Sequence, residues 1–483
     1  MNTRVENEDR RTGRGRAIAL ILLVAAFGAL RVASALNDLY IDEIWSLHFA
    51  SRASSVIDVF SVRHDNNHIL NTVYLYFAGS GSIFPSIPPV FIHQRLLSVA
   101  AGTLSLGVLA YIGLKRGFIE AMTLVLIAGA SYPLVLYSSE ARGYAPSILF
   151  ALIAFTLAGR WLKTRSAVIL PFYWASVSLG LLSHSSFFYV LLALSGWSVA
   201  GRLKSGLDNI AIRDLILFNA VPFAVLAALY IFFISGIAIG GGTRGDIFGA
   251  TLHASKMAFG VPGTGWASNA AGAAIALFFF VSGVLMELRS GSGRWVFFAL
   301  CVVVAPALAI AAAKPEFFYF RYFIVSFPFL YILAAFVLAR AFRWSSAGKA
   351  LYAACMALFL LSNLYSDWRL ATVGRGAYFD AMMFMADNAP GGEAAIGSDH
   401  DFRNKAVLSF YAKFLPEGRT VTYFDRNEWP ENGPGWLILH SVDPGYKPYE
   451  RTFDAGVEYS LAKSYGFAGD SGFSWHIYRK AGP

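Results

Sequence analysis

The chain of 483 residues has only two cysteines, Cys301 and Cys355. Both lie inside apolar runs, which excludes a disulfide framework and a cysteine metal site. They read as two small buried hydrophobes. Charge is scarce as well. Asp, Glu, Lys and Arg make up 14% of the residues, against roughly a quarter in a soluble domain. The net charge of +9 does not point to nucleic acid, because no basic stripe is interleaved with aromatics. The stretch after Ser366 shows no phosphate-binding glycine fingerprint, and the chain shows no internal repeat. What fills the chain is apolar: 56% of residues are hydrophobic and the mean hydropathy is +0.53. One water-soluble core cannot hide that much apolar surface, so the fold class is an all-α polytopic membrane protein.

About eleven apolar runs are long enough to be read as spans: 17–36, 90–113, 118–137, 144–161, 167–182, 185–201, 214–236, 270–287, 295–313, 322–340 and 350–365. The short runs at 167–182 and 185–201 admit a second reading as one long tilted helix. The first run follows Arg4, Arg10, Arg11, Arg14 and Arg16. It is too long for the apolar region of a signal peptide, so an uncleaved first helix is expected.

Basic residues sort by loop. One set of loops holds Lys115, Arg116, Arg160, Lys163, Arg165, Arg202, Lys204, Arg213, Arg289, Arg294, Arg340, Arg343 and Lys349. The opposite set holds only Arg52, Arg63, Arg142, Arg244, Lys256, Lys314 and Arg321. The richer set is expected to face the cytoplasm. The loop at 37–89, the glycine-dense stretch at 236–245 and everything after 366 then face outward. The loop 37–89 is too long for a plain connector. Its apolar stretches 56–60 and 69–77 are expected as interfacial amphipathic helices.

From Ser366 the composition changes. Alternating helix and strand patterns predict helices at 378–389 and 403–414 and strands at 394–397, 420–424, 436–440 and 473–478. The expected division is a transmembrane domain at 1–365, with the loop 37–89 carrying the chemistry, and a small outer α/β domain at 366–483.

Candidate chemistry gathers on the expected outer side. Asp42 and Glu43 follow the first span. Adjacent residues on a helix point about 100° apart, so one acid can serve as a base while the other orients a partner. They equally suit the cap and first turn of a helix. His64, Asp65 and His68 lie close together, and the histidines are four apart, a spacing that permits a metal pair on a helix. A divalent ion and plain hydrogen bonding both stay open for Asp42, Glu43, His64 and His68. Arg142 can pair with Glu140, snorkel, or hold a phosphate at headgroup level. Arg321 and Arg95 occupy similar positions near span ends.

These segments resemble the membrane glycosyltransferases of the protein mannosyltransferase and aminoarabinose transferase superfamily, which share the GT-C fold. Asp42 and Glu43 look like that family's acidic pair. His68-Ile69-Leu70-Asn71 resembles its His-Pro-Pro-Leu segment, with Ile69 and Leu70 where the family has two prolines. Arg95-Leu96-Leu97-Ser98 matches its Arg-hydrophobic-hydrophobic-Ser stretch. Glu140-Ala141-Arg142-Gly143-Tyr144 is similar to its Glu-Ala-Arg-x-Tyr loop, and Arg321-Tyr322 to its late Arg-Tyr. The resemblance implies a polyprenyl-phosphate-linked sugar as donor and a glycan, lipid or protein as acceptor. Asp42 would then be the base, with Glu43 beside it. Arg142, Arg321, His68, Tyr144 and Arg95 would hold the donor phosphate. The expected location is the bacterial inner membrane, N-terminus cytoplasmic and C-terminal domain periplasmic. The competing classes are a secondary transporter, which needs broken helices with midplane polar groups, and an O-antigen ligase or polymerase, which would carry its key residues in a late outer loop.

Overall fold

The computed structural model describes residues 2–78, 91–203, 206, 208–240, 246–313, 317 and 319–481, with side chains from residue 13 onward. Lys204, Arg244, Lys314, the stretches 79–90 and 241–245, and the side chains of Arg4, Arg10 and Arg11 lie outside the described residues.

Among the described residues, nine helices are long and apolar enough to cross a membrane, from Gly13–Ser34 to the helix Ser346–Val373. A bent pair, Phe118–Ala130 and Tyr132–Ser138, with 62° between its halves, is long and apolar enough only when the two helices are taken together. The eleventh expected run forms the 15-residue helix Ile169–Ser183, shorter than the ~20 residues that a bilayer asks for. A break at 184–186 separates it from Phe187–Leu203, so the reading as one long helix is not adopted.

The bend has a sequence cause. Pro133 has no N–H to give to the carbonyl of Gly129, and Tyr132 turns its own away. Arg31 takes over the freed acceptors, donating to Ala128 O at 3.1 Å and Gly129 O at 3.2 Å. The Tyr132 N–H donates to Asn363 Oδ1 at 2.9 Å. These three backbone groups opened by the break are thus closed by protein, as hydrocarbon surroundings require.

The C-terminal region carries a six-stranded mixed sheet: β1 (Glu393–Ser398), β2 (Thr420–Tyr423), β3 (Trp436–Ser441), β4 (Arg451–Asp454), β5 (Val457–Tyr465) and β6 (Ser474–Lys480). Their order is β2-β1-β3-β6-β5-β4, parallel across β2-β1-β3 and antiparallel beyond. Helices Tyr378–Asp387 and Asp401–Tyr411 pack on it. The sequence reading missed β4 and β5. Phe453 of β4 is exposed on the sheet edge, so burial imposes little pattern there.

Two features depart from the expected division. The boundary at 366 falls inside Ser346–Val373, which runs about two turns past it. The loop after the first span belongs to the core of the C-terminal domain: Leu39, Tyr40 and Ile44 are buried in one cluster with Tyr378, Met382, Tyr411, Trp436 and Trp475. Tyr411 Oη donates to Leu39 O at 2.9 Å. Within the loop, Ile41–Arg52 and Ile69–Ala78 are α-helices and Val56–Ser61 is a short 3-10 helix.

Candidate active site

Asp42 and Glu43 sit in the first turn of Ile41–Arg52, and the Tyr40 N–H donates to Glu43 Oε2 at 3.2 Å. The helix turns the two acids apart. Asp42 Oδ2 accepts from Tyr40 Oη at 2.9 Å, Arg142 Nη1 at 2.9 Å and Arg321 Nη1 at 3.4 Å. Arg142 Nη1 also donates to Tyr40 Oη at 3.0 Å, and Nη2 to Asn66 Oδ1 at 2.7 Å. The Arg142 guanidinium lies over the Tyr144 ring and that of Arg321 over the Tyr319 ring.

Among the described residues, two cations thus share one carboxylate oxygen, an excess of one positive charge. The buried Nε of Arg142 and of Arg321 have no hydrogen-bond acceptor among these residues. Access is one-sided: the side chains of Asp42 and Arg321 are 18% and 22% exposed, that of Arg142 only 2%. Burial pushes the Asp42 carboxyl upward, but Arg142 and Arg321 outweigh it and hold it below the usual carboxylate range.

Glu43 has a different setting. Arg95 grips it end to end, Nε to Oε1 at 2.7 Å and Nη2 to Oε2 at 2.6 Å, and both side chains are fully buried. The Ala141 N–H adds a bond to Oε1 at 2.8 Å. The other Arg95 protons go to the carbonyls of Ala35, Asn37 and Asp38. This corrects two expectations. Arg95 has no N–H left for a phosphate, and Glu43 has no open side for a substrate. Together they lock the first loop to the second span.

Glu140 does not pair with Arg142 either. It accepts from Ser471 Oγ at 2.6 Å and meets Arg375 Nε at 3.4 Å. Burial outweighs Arg375 and raises its pKa. Arg375, which the sequence reading did not single out, also donates to Ser34 O, Asn37 Oδ1, Leu136 O and Ser139 Oγ. Its backbone is clamped too. A Cβ on Gly472, whose φ is +97°, would lie 1.8 Å from Arg375 O.

His68 is buried, and its Nδ1 accepts the Gly143 N–H at 2.8 Å. The ring is therefore neutral with its proton on Nε2. Burial, then Arg142, holds its pKa well below the imidazole range. His68 can offer an N–H but not the cationic contact expected of it. Tyr144, expected at the phosphate, is instead buried among Tyr137, His68 and His184. Burial and Arg142 likewise push His184 down to about 3. Gly143 allows this packing: a Cβ there would lie 1.9 Å from Ser183 O and 2.9 Å from His68 Cβ.

His64 and His68 are not on a helix, so the metal-pair geometry does not arise. His64 contacts Asp65 at 2.9 Å and stacks near Trp45. Asp65 accepts from the Gly240 N–H, and the strand-like contact of His64 with Ala238 ties the described part of the glycine-dense loop to the first loop. Among the described residues, no group of three or more His, Cys, Asp or Glu is placed to hold a metal ion. Besides Arg375, the unanticipated members of the site are Tyr40, Asn66 and His184. Asn66 stood in plain view inside the 64–68 motif; Tyr40 was visible only as the residue two before Asp42.

No family model matches the sequence, and no curated protein matches it. Among solved structures, the chain is similar to ArnT from Cupriavidus metallidurans bound to undecaprenyl phosphate, at 12% identity and a TM-score of 0.47, over 96% of this chain and 99% of that one. The same protein in the apo state gives 12% identity and a TM-score of 0.48, over 88% and 93%. The Archaeoglobus fulgidus oligosaccharyltransferase in complex with Zn and sulfate gives 11% identity and a TM-score of 0.47, over 86% of this chain and 67% of that one.

Proposed function

We propose that this protein is a membrane glycosyltransferase that moves a hexosyl or pentosyl group from a polyprenyl-phosphate donor to a hydroxyl of a glycan, lipid or protein acceptor. The observation that carries the reading is the shared oxygen. Two guanidiniums converge on Asp42 Oδ2 with one positive charge to spare and two unfilled N–H donors. Such a site attracts an anion, and guanidinium suits phosphate. A donor phosphate arriving there competes with Asp42 for Arg142 and Arg321. As the arginines turn to phosphate, the carboxylate loses the charges that depress its pKa and becomes a better base.

The step is a single displacement. The acceptor oxygen bonds to the anomeric carbon as its proton passes to Asp42. The bond from that carbon to the phosphate oxygen breaks, and its electron pair leaves with the polyprenyl phosphate, whose charge Arg142 and Arg321 balance. Attack from the face opposite the leaving group inverts the anomeric configuration. Glu43 and Glu140 act only as positioning residues, through Arg95 and Arg375. The orientation proposed is an outward Asp42 end in the bacterial inner membrane. Reporter fusions after Arg202 and Lys480 check it, with an inside report for the first and an outside report for the second.

Purified protein supplied with a panel of polyprenyl-phosphate sugars tests the reaction. In Asp42→Asn, turnover falls by ~10²–10⁴-fold, the usual contribution of a positioned base, while donor binding persists. Near-normal turnover in folded Asp42→Asn rejects Asp42 as the base, and a product with retained configuration rejects the single displacement.

A further inference from the structure

At the other end of the spans lies a second cationic feature that the proposed reaction does not use. The helices Ile92–Leu114 and Tyr144–Thr164 begin near the Asp42 cluster, at Arg95 and Tyr144, and end about 30 Å away by helical rise. Around those far ends is a cavity of about 710 Å³ lined by Lys115, Arg116, Arg160, Lys163, Arg165 and Arg294. Among the described residues, no acidic one lines it.

Basic residues at helix C-termini are ordinary, because they complement the helix dipole and mark the cytoplasmic side. That accounts for the sign of the charge, not for its arrangement here. Two of the six cations share one acid: buried Glu287 pairs with Arg116 and with Arg294, the latter at 3.0 Å, which leaves one positive charge over. The other four, Lys115, Arg160, Lys163 and Arg165, have no carboxylate within ion-pair distance among the described residues. Arg165 ends its helix in a left-handed conformation, φ 54°, and its Nη1 is buried without a hydrogen-bond acceptor. Lys115 lies over the Tyr111 ring and Arg165 over the Trp161 ring, and an anion between the four like charges would relieve the repulsion that remains.

The rest of the lining decides what kind of anion. Phe155, Leu162 and Trp197 give the cavity an apolar floor, and Gly159 leaves it without a side chain at one point. A cationic rim over an apolar floor at the ends of membrane spans matches an amphiphile with a charged head and hydrocarbon behind it. A free inorganic anion has no use for the floor.

We infer that this cavity binds the phosphate headgroup of an anionic membrane phospholipid, as a site separate from the Asp42 cluster. Arg165 and Lys163 close on the phosphate oxygens and Arg160 and Lys115 supply the surrounding charge.

Native mass spectrometry of the full-length protein tests this, with phosphatidylglycerol or phosphatidylcholine added in mixed micelles. The native protein retains phosphatidylglycerol in preference to phosphatidylcholine. The triple variant Arg160→Glu/Lys163→Glu/Arg165→Glu retains it at least about tenfold more weakly, as loss of charge-assisted contacts implies. Lys447→Glu, an exposed change in the outer domain, leaves retention unchanged. A milder variant, Arg165→Gln, keeps the test meaningful should the triple variant misfold, and it too must weaken retention. Equal retention by native protein and folded Arg165→Gln overturns the site. Displacement of phosphatidylglycerol by millimolar inorganic phosphate overturns the lipid assignment, because the site would then take free phosphate. Asp42→Asn retains the lipid like the native protein, which keeps this outcome independent of the proposed reaction.

Discussion

Asp42 and Glu43 are neighbours in sequence, yet they belong to two regions with opposite designs. Around Glu43 and Glu140 the charges are closed one to one: each acid meets one arginine, every one of these side chains is fully buried, and Arg95 and Arg375 spend their protons on backbone carbonyls and side-chain oxygens within reach, while Glu140 Oε2 has no hydrogen-bond partner among the described residues. Around Asp42 the charges are open: one acid meets two arginines, donors are left over, and the edge is partly exposed. Buried pairs of the first kind are poor sources of net stability but costly to break, because removing one partner strands the other. Unequal clusters of the second kind are held in an unsatisfied state that a ligand can relieve. The closed layer ties the first span, the first loop, the bent helix pair and the C-terminal domain together, and that rigidity lets the open cluster keep its shape.

The largest effect expected from breaking this contrast is on the closed side. Glu43→Ala strands the Arg95 guanidinium and lowers stability by about 3–5 kcal/mol. Chemical denaturation in detergent reads it. A loss below about 1 kcal/mol, the range of exposed pairs, would mean that the closed layer is not what holds the loop. On the open side the same kind of truncation acts on binding. Arg321→Ala, at the exposed edge, weakens donor affinity by roughly 10–100-fold, the range for a charge-assisted contact, while the midpoint of unfolding stays near that of the native protein. Arg142→Ala does the same but also costs stability, because Asn66 and Tyr40 lose their donor. Unchanged donor affinity in both variants would reduce the arginines to structural ties of Asp42.

The sequence carried these two regions unequally, for physical reasons. Spans are local: a run of twenty apolar residues declares itself, and each of the eleven expected runs corresponds to a helix. The nearness of Asp42, Arg142 and Arg321 was legible because all three sit at the same end of their spans. Pairing was not legible. Glu140 and Arg375 are 235 positions apart, and nothing near Arg375 marks it as more than a linker arginine. The histidine pair misled because a spacing of four means one face only on a helix, and 62–68 is a turn. Strand β4 escaped because an exposed edge imposes little alternation, and β5 because a register shift between Leu461 and Lys463 interrupts its alternation.

Gly143 sharpens the contrast at smaller scale, since it joins the Arg142 loop to the His68 ring. Gly143→Ala forces the Cβ against Ser183 O and His68. The expected cost is ~1–3 kcal/mol of overpacking, with a loss of turnover as Arg142 is displaced next to it. A fully active Gly143→Ala would show that the open cluster tolerates movement of its floor.

The mildest test concerns Asp38, an acid of the closed layer that lacks a cation of its own. Its Oδ2 accepts the Phe379 N–H at 2.9 Å, while Arg95 binds only its carbonyl. Burial raises its pKa to about 6. The sign follows from linkage. The folded state binds the Asp38 proton more tightly than the unfolded chain, so the stability this group contributes is present below the unfolded value near 4. It is lost as pH rises through about 6. Asp42 and Glu43 run the other way, since their depressed pKa values lose stability as pH falls. The whole-protein profile mixes both, so the informative quantity is the difference between Asp38→Asn and the native protein. An amide keeps the acceptor for Phe379 and removes the ionisation. The variant should be ahead by ~2–3 kcal/mol at pH 7, and the two should converge by pH 4, where the native carboxyl is already protonated in the fold. A variant that is less stable by the same amount at both pH values would show that Asp38 serves as a charged acceptor, and would place it with Asp42 rather than with the neutral interior.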